Sequence, residues 1–240
     1  MGRRLRHPRR FGVVTRGVAM VLGAALALGG MLAMQVPLSG EAASATLQLS
    51  RLGSTQVSGG VQWPSVGSAS LLIPSLGVSE SVRNAVVPIA SLTKMMTAFV
   101  VLRKYPLAPG EMGPCVTVSA SDYATYEYMK STDQSNVPVV VGESLCESQL
   151  LNGLLVHSAD NYAAMLADFV SGSQSNFVAL MNETAHVLGM RQTTYADASG
   201  YDPASMSSAL DQARLASVLM QSPVVRDIVR QSSVVLPVGG

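Results

Sequence analysis

Two side chains capable of nucleophilic chemistry, Ser91 and Lys94, stand three residues apart within an apolar segment of the chain. On a helix, a three-residue step places both side chains on one face and within reach of each other. A serine hydroxyl is a weak nucleophile near neutral pH, so it needs a neighbour that takes its proton. Lysine does this only as the neutral amine, a form that burial and the positive end of a helix both favour. The pattern is common by chance, but its apolar setting predicts acyl transfer with Ser91 as nucleophile and Lys94 as base.

A second group of polar residues lies at the junction between two apolar helical patterns and reads His157-Ser158-Ala159-Asp160-Asn161. In the simplest interpretation, Ser158 or Asp160 only caps the helix that follows. In the functional interpretation, Ser158 relays a proton from the base to a leaving amine, and Asp160 or Asn161 holds the substrate. The residues themselves leave both interpretations open.

The hydrophobic pattern predicts the elements that must position these groups. Apolar residues at helical spacing predict a core helix over 90–105, ended by Pro106, and an apolar run predicts a buried strand over 69–73. The other expected elements are strands over 115–118 and 137–141 with a polar stretch between them, helices over 145–156, 160–170, 174–188 and 208–221, and a β-branched run over 233–238.

The composition indicates a folded domain and argues against nucleic-acid binding. Of 240 residues, 48% are apolar and 13% are charged, which is too hydrophobic for a disordered chain. The formal net charge of +1 conceals six arginines before residue 17, while beyond residue 45 ten basic side chains are outnumbered by fourteen acidic ones. A basic surface for nucleic acid is therefore not expected in the folded part.

The six arginines flank an uncharged apolar stretch over 17–34, which is typical of an export signal. This stretch is nearly long enough to cross a bilayer, so a retained membrane anchor is the alternative to cleavage after Ala45. In both cases the arginines stay in the cytoplasm and the rest of the chain lies outside. The expected organisation is a signal peptide or membrane anchor over 1–45, a flexible tether over 46–66 and a folded domain over 67–240.

The two cysteines, Cys115 and Cys146, are a candidate disulfide. An oxidising exterior permits them to pair, and the bridge would close a loop of about 30 residues. Two buried free thiols are the alternative, and thiol labelling with and without reductant distinguishes the two.

Three blocks of sequence in a fixed order resemble one enzyme family. They read PIASLTKMMTAFVVL at 88–102, GESLCESQLLNGLLVHSADNYAAMLA at 142–167 and FVALMNETAHVLGMRQTTYADASG at 177–200. Together they resemble the penicillin-binding serine D-alanyl-D-alanine carboxypeptidases of peptidase family S11, which are relatives of the class A β-lactamases. The resemblance implies an α+β fold of the β-lactamase and transpeptidase type, with a helical subdomain and an incomplete antiparallel sheet.

The same resemblance implies a reaction and a place for it. The penultimate D-alanine of a peptidoglycan stem peptide would acylate Ser91, and the terminal D-alanine would leave. Lys94 would be the base, Ser158 would protonate the leaving amine, and Asp160 and Asn161 would bind the substrate. The resemblance also implies covalent inhibition by β-lactam antibiotics, a location at the cell wall or the outer face of the membrane, and no metal or organic cofactor.

Two features depart from the family pattern. The second family motif is Ser-x-Asn, yet Asp160 occupies its third position and the asparagine follows at Asn161. A carboxylate only accepts hydrogen bonds, and Asp160 is also able to pair with Lys94, which would keep the amine protonated and unfit as a base. The third motif, Lys-Thr-Gly or Lys-Ser-Gly, is absent, and the chain resembles a family member truncated before it; the only other lysines are Lys104 and Lys130. The loss of one oxyanion donor lowers the rate about 100- to 1,000-fold, so weakened activity is expected. The loss of the strand that carries the motif would also leave one edge of the sheet open.

Three other interpretations fit parts of the sequence. The missing motif is compatible with a catalytically impaired penicillin-binding-like remnant that binds cell wall or a partner. A class A β-lactamase-like hydrolase would need a deacylating Glu-x-x-Leu-Asn after the second motif, and the chain has none there. A Ser-His-Asp hydrolase would use His157 or His186, but His157 adjoins Ser158 and would point in another direction.

Overall fold

The computed structural model of the chain describes residues 61–237. The export segment expected over 1–45 and most of the tether expected over 46–66 lie outside the described residues. In the part of the chain that the structure describes, none of the helices has both the length and the hydropathy needed to cross a bilayer.

Seven α-helices, counted over the described range, pack around one apolar core. The central helix α1 (Thr93–Lys104) follows directly from a 3₁₀ turn (Ala90–Leu92), and eight of its residues are buried. The helices predicted from apolar periodicity are confirmed to within three residues at each end, and the largest difference is at 90–92, which form the 3₁₀ turn instead of α-helix. The other helices are α2 (Ala120–Ser131), α3 (Glu147–Val156), α4 (Asp160–Ser171), α5 (Gln174–Val187), α6 (Ala209–Leu219) and α7 (Pro223–Val229).

Within the described range, the strands form three separate two-stranded antiparallel sheets. The strand predicted over 69–73 is confirmed but is half-buried rather than buried, because it has one partner strand and packs against α6. The pairs are β1 (Ala69–Ile73) with β2 (Val78–Val82), β3 (Val87–Pro88) with β6 (Met206–Ser207), and β4 (Cys115–Thr117) with β5 (Ser144–Cys146).

The prediction of a strand over 137–141 is wrong. This segment is extended, but the backbone amide and carbonyl of Val137 are hydrogen-bonded to the side-chain amide of Asn161, and none of the strands between residues 61 and 237 pairs with it. An apolar run such as Val-Pro-Val-Val-Val looks the same in sequence whether its backbone partner is a strand or a side chain. The strand that pairs with β4 is instead β5, three residues further along the chain.

Two helices were not predicted. The polar stretch after β4 folds as α2, and Ser119 and Asp122 form a capping box at its start. The short helix α7 begins with Pro223 at its first position and is capped by the Ser222 hydroxyl. The β-branched run after α7 forms no strand over 233–237. Both helices begin with capping residues, but their weak apolar periodicity did not reveal them.

Cys115 and Cys146 are opposite each other in the β4–β5 pair and are joined by a disulfide. The bridge lies directly before α3, and the backbone amide of Glu147 donates to the carbonyl of Pro114 at 2.8 Å. The disulfide and this hydrogen bond together hold the loop before β4 against the first turn of α3.

Replacing both cysteines with serine is expected to lower the free energy of unfolding by about 3 kcal/mol, because a closed loop of this length restricts the unfolded chain. Urea denaturation of the two proteins measures the difference. Reductant should destabilise the wild type by a similar amount and leave the double variant unchanged. Equal denaturation midpoints for wild type and double variant would contradict this prediction.

Glu147, the first residue of α3, carries a buried carboxyl group. The residue is 1% exposed, and within the described residues neither carboxylate oxygen has a hydrogen-bond partner. Desolvation raises the pKa of Glu147 to about 7. Gly113 lies against it so closely that a Cβ added there would come within 2.6 Å of Oε2. The fold therefore favours the protonated form of this group.

Candidate active site

The first turn of the central helix presents Ser91 at the surface and Lys94 to the interior. Ser91 belongs to the 3₁₀ turn that precedes α1, and the three-residue step puts both side chains on the same side, as the sequence predicts. The turn is held in place from outside by Gly200. A Cβ added to Gly200 would lie 1.8 Å from the carbonyl oxygen of Ala90. The position of Ser91 therefore depends on a close backbone approach by the loop that contains Gly200.

The amine of Lys94 has three acceptors around it. Its Nζ lies 2.5 Å from Oδ1 of Asp160, 2.9 Å from the carbonyl oxygen of Ser199 and 3.2 Å from Oγ of Ser91. The side chain is 3% exposed. An ammonium group has three protons and no lone pair, so three acceptors satisfy it fully. This arrangement is that of a protonated lysine that donates to the serine hydroxyl.

Asp160 is the first residue of α4 and is buried beside Lys94. Burial raises its pKa, the hydrogen bond and attraction of Lys94 lower it, and the nearby Asp197 carboxylate raises it. The carboxylate of Asp160 is paired with Lys94, and its expected contact with substrate stays a prediction. The alternative weighed from the sequence, an Asp160–Lys94 ion pair, is the one that the structure contains.

Asn161 points away from this site. Its side chain accepts from the amide of Val137 at 3.0 Å and donates to the carbonyl of the same residue at 2.8 Å. One residue along a helix rotates a side chain by about 100°, so Asp160 and Asn161 face different parts of the molecule. The amide of Asn161 therefore fixes the extended segment at 137, and its expected contact with substrate stays a prediction.

Ser158 lies in the same cleft as Ser91 and Lys94. It adopts a left-handed backbone conformation, with φ of 61°. It does not cap α4, whose N-cap is Ala159 without any side-chain cap bond. The cleft has a volume of about 500 Å³ and is mostly apolar; its other lining residues are Ile89, Ala90, Leu92, Met95, Leu154, Leu155 and Val229.

Neither histidine proposed for a Ser-His-Asp site lines this cleft. His157 is exposed, and its Nε2 lies 3.2 Å from the carbonyl oxygen of Asn136. His186 is exposed on α5. Over residues 61–237, no group of three or more His, Cys, Asp or Glu side chains is placed to hold a metal ion.

The loop around Asp197 supplies contacts that reasoning from the residues missed. The Asp197 carboxylate accepts from the hydroxyl of Ser199 at 2.9 Å and from the amide of Gly200 at 2.8 Å. It also accepts from two further backbone amides and from the Ser205 hydroxyl. These bonds turn the Ser199 carbonyl toward Lys94. The Asp-Ala-Ser-Gly sequence is a turn signal, but only the fold brings it to a lysine 105 residues earlier.

Comparisons with known proteins agree on one family. The family model described as D-alanyl-D-alanine carboxypeptidase, peptidase S11, matches residues 78–234. The carboxypeptidase DacC of Escherichia coli K12 is 33% identical over 132 residues, covering 55% of this chain and 33% of that protein. A D-alanyl-D-alanine endopeptidase of Pseudomonas aeruginosa is 36% identical over 141 residues, covering 58% of this chain and 42% of that protein. The chain thus spans between a third and a half of the length of these two relatives.

Solved structures show the same relationship. Penicillin-binding protein 6B of Escherichia coli superposes with a TM-score of 0.64 and 26% identity, covering 76% of this chain and 59% of that one. The Streptomyces K15 DD-transpeptidase superposes with a TM-score of 0.61 and 25% identity, covering 71% of this chain and 67% of that one. The expected α+β fold of transpeptidase type is confirmed.

Proposed function

The chain belongs to the S11 family of D-alanyl-D-alanine carboxypeptidases, and from this premise we propose that it cleaves the terminal D-alanine from peptidoglycan stem peptides through an acyl-enzyme on Ser91. One observation carries the proposal: Ser91, Lys94 and Ser158 line a single cleft at the first turn of α1. These are a nucleophile, a group that exchanges protons and a second hydroxyl, which is the set that acyl transfer to serine requires.

The roles follow from the positions of these groups. Ser91 is exposed, so its Oγ is able to attack a carbonyl carbon that enters the cleft. The amide of Ser91 lies in the first turn of a helix, where backbone amides have no intrahelical acceptor, and it would donate to the developing oxyanion. Ser158 would pass a proton to the departing D-alanine amine. Water would then hydrolyse the ester and restore the serine.

The proposal includes location and partners. The arginine-flanked apolar segment at the N-terminus supports export, which would bring the domain to the peptidoglycan on the outer side of the membrane. β-Lactam antibiotics would acylate Ser91 and remain attached, as the names of the penicillin-binding relatives suggest. The apolar walls of the cleft would accept the side chain of a stem peptide residue or the acyl substituent of a penicillin.

A second candidate is an impaired penicillin-binding-like protein that binds cell wall without turnover. The Lys94–Asp160 ion pair favours it, because a lysine held as an ammonium group by a carboxylate is not acting as a base. This candidate predicts that the protein sediments with purified peptidoglycan whether or not Ser91 is present.

Covalent labelling by a fluorescent penicillin tests the main proposal. The wild-type domain is expected to retain the fluorophore after denaturing electrophoresis, and Ser91→Ala should lose it completely, because the ester forms on that oxygen. Ser144→Ala, at an exposed serine of β5, is the matched control and should label like the wild type. Retained labelling in Ser91→Ala, or none in the wild type, would contradict the proposal.

A further inference from the structure

The hydrogen bonds of Lys94 indicate an amine that still carries the proton it must lose before it is able to act as a base. With three acceptors around Nζ, the resting amine is an ammonium group that donates to Ser91 Oγ. A base must instead have a lone pair directed at the serine hydroxyl. Lys94 therefore has to lose one proton before Ser91 is able to attack.

The nearest acceptor for that proton is Oδ1 of Asp160, at 2.5 Å. The two other acceptors are a backbone carbonyl and the serine hydroxyl itself, and neither gains a proton readily. Asp160 is buried, with 7% of its side chain exposed. Burial and the Asp197 carboxylate both favour its protonated form. In the described part of the chain, the charged groups that act on Asp160 are Lys94 from α1 and Asp197 from the loop after α5.

We propose that Asp160 takes the activating proton from Lys94, so that the two residues act as one base that needs no proton exchange with the solvent. The inference rests on the proposed function. An ion pair and its neutral tautomer have the same net charge, so bulk pH does not set the balance between them. A substrate that covers the cleft removes water from the pair and shifts it toward the neutral tautomer, because desolvation disfavours separated charges.

Every proton released during the acylation step is taken up by a named group of the site. One N–H bond of the Lys94 ammonium breaks and an O–H bond forms on Asp160, which leaves a neutral amine and a carboxylic acid. The amine takes the Ser91 proton as Oγ bonds to the substrate carbonyl carbon, whose π electrons move to oxygen. When the C–N bond breaks, Ser158 gives its proton to the leaving amine and receives one from Lys94. The pair then returns to ammonium and carboxylate.

The asparagine of the family motif cannot serve this way, since a neutral amide does not take up a proton near neutral pH. With asparagine at position 160, the ammonium would have to release its proton to the solvent. The carboxylate at this position therefore changes the pH dependence of acylation and leaves the catalytic serine and lysine in place. This difference separates a chemical role for Asp160 from a merely structural one.

The pH dependence of acylation tests the inference. The second-order rate constant for labelling of Ser91 by a fluorescent penicillin is measured from pH 6 to pH 9 in wild type and Asp160→Asn. The wild-type rate should be flat over this range, whereas the rate of Asp160→Asn should rise about tenfold per pH unit over at least two units. Asp168→Asn, at an exposed carboxyl on the same helix, is the control and should follow the wild type. Identical pH profiles in wild type and Asp160→Asn would overturn the inference while leaving the proposed function intact.

A second measurement uses the wild type alone and does not depend on the folding of a variant. Acetamidomethylboronic acid would add to Ser91 Oγ as a tetrahedral boronate, and the serine proton must then go somewhere. If Asp160 takes it, calorimetry at pH 7 in two buffers of different ionisation enthalpy should show no proton released per adduct. Release of one proton, as expected for a lone ammonium beside the serine, would overturn the inference. A protein that neither labels nor forms the adduct would contradict the proposed function itself.

Discussion

Gly200→Ala is expected to reduce the rate of penicillin labelling by about 100-fold or more without touching any group that reacts. Gly200 has φ of +85°, and an added Cβ would lie 1.8 Å from the Ala90 carbonyl oxygen and 2.7 Å from Oγ1 of Thr93. Ala90 belongs to the turn that holds Ser91 and Thr93 is the first residue of α1, and the Ala90 backbone does not yield as a flexible side chain does. A displacement of about 1 Å in a reacting group is enough for a 100-fold loss.

The same substitution should lower the free energy of unfolding by about 3 kcal/mol or more, from overpacking and backbone strain together. Gly142→Ala separates these two causes. Gly142 has φ of +90°, close to that of Gly200, but nothing lies within 4 Å of its added Cβ. Gly142→Ala should therefore show the cost of the left-handed backbone alone and label at the wild-type rate. Equal labelling rates for the two variants would show that the approach of Gly200 to Ala90 does not position Ser91.

Glu147→Gln should make the protein more stable at pH 8 by about 3 kcal/mol and have little effect at pH 4. In the unfolded chain the carboxyl group ionises around pH 4.5, whereas desolvation raises its pKa in the folded state to about 7. A raised pKa for an acid means that the folded state disfavours the charged form. The stabilising contribution is complete below pH 4.5 and is lost as pH rises to about 7, at about 1.4 kcal/mol for each unit of difference.

Urea denaturation from pH 4 to pH 8 measures this effect. The wild type should lose stability between about pH 4.5 and pH 7, and Glu147→Gln should be flatter over the same interval. Glu183→Gln, at an exposed position on α5, is the control and should follow the wild type. A wild-type slope that persists in Glu147→Gln would mean that another group accounts for it.

The sequence was sufficient to predict the serine and lysine on one helix face, because helical periodicity is local and a three-residue step fixes their relative direction. The apolar helices around them were predicted for the same reason. The short sheets were less predictable. Their strands are two to five residues long, and an extended apolar segment such as 137–141 resembles a strand in sequence although it belongs to none of the described strands.

The sequence alone did not predict which of Asp160 and Asn161 contacts Lys94 and which contacts the backbone of Val137. Both are polar, both stand at the start of α4, and the choice depends on how the helix is rotated against α1 and the segment at 137. The contribution of the loop around Asp197 was hidden for a related reason. Its contact with Lys94 joins positions 105 residues apart, which no local pattern encodes.

The two positions at the start of α4, 160 and 161, differ in the substitutions that they tolerate. At position 160 an amide and a carboxylate have nearly the same shape, so an exchange there keeps the packing but removes the carboxylate that pairs with the buried Lys94 amine. At position 161 only an amide serves, because one atom must accept from the Val137 amide while another donates to its carbonyl. Reversing the order of these two neighbours would therefore require two mutations of which one, Asn161→Asp, is damaging by itself.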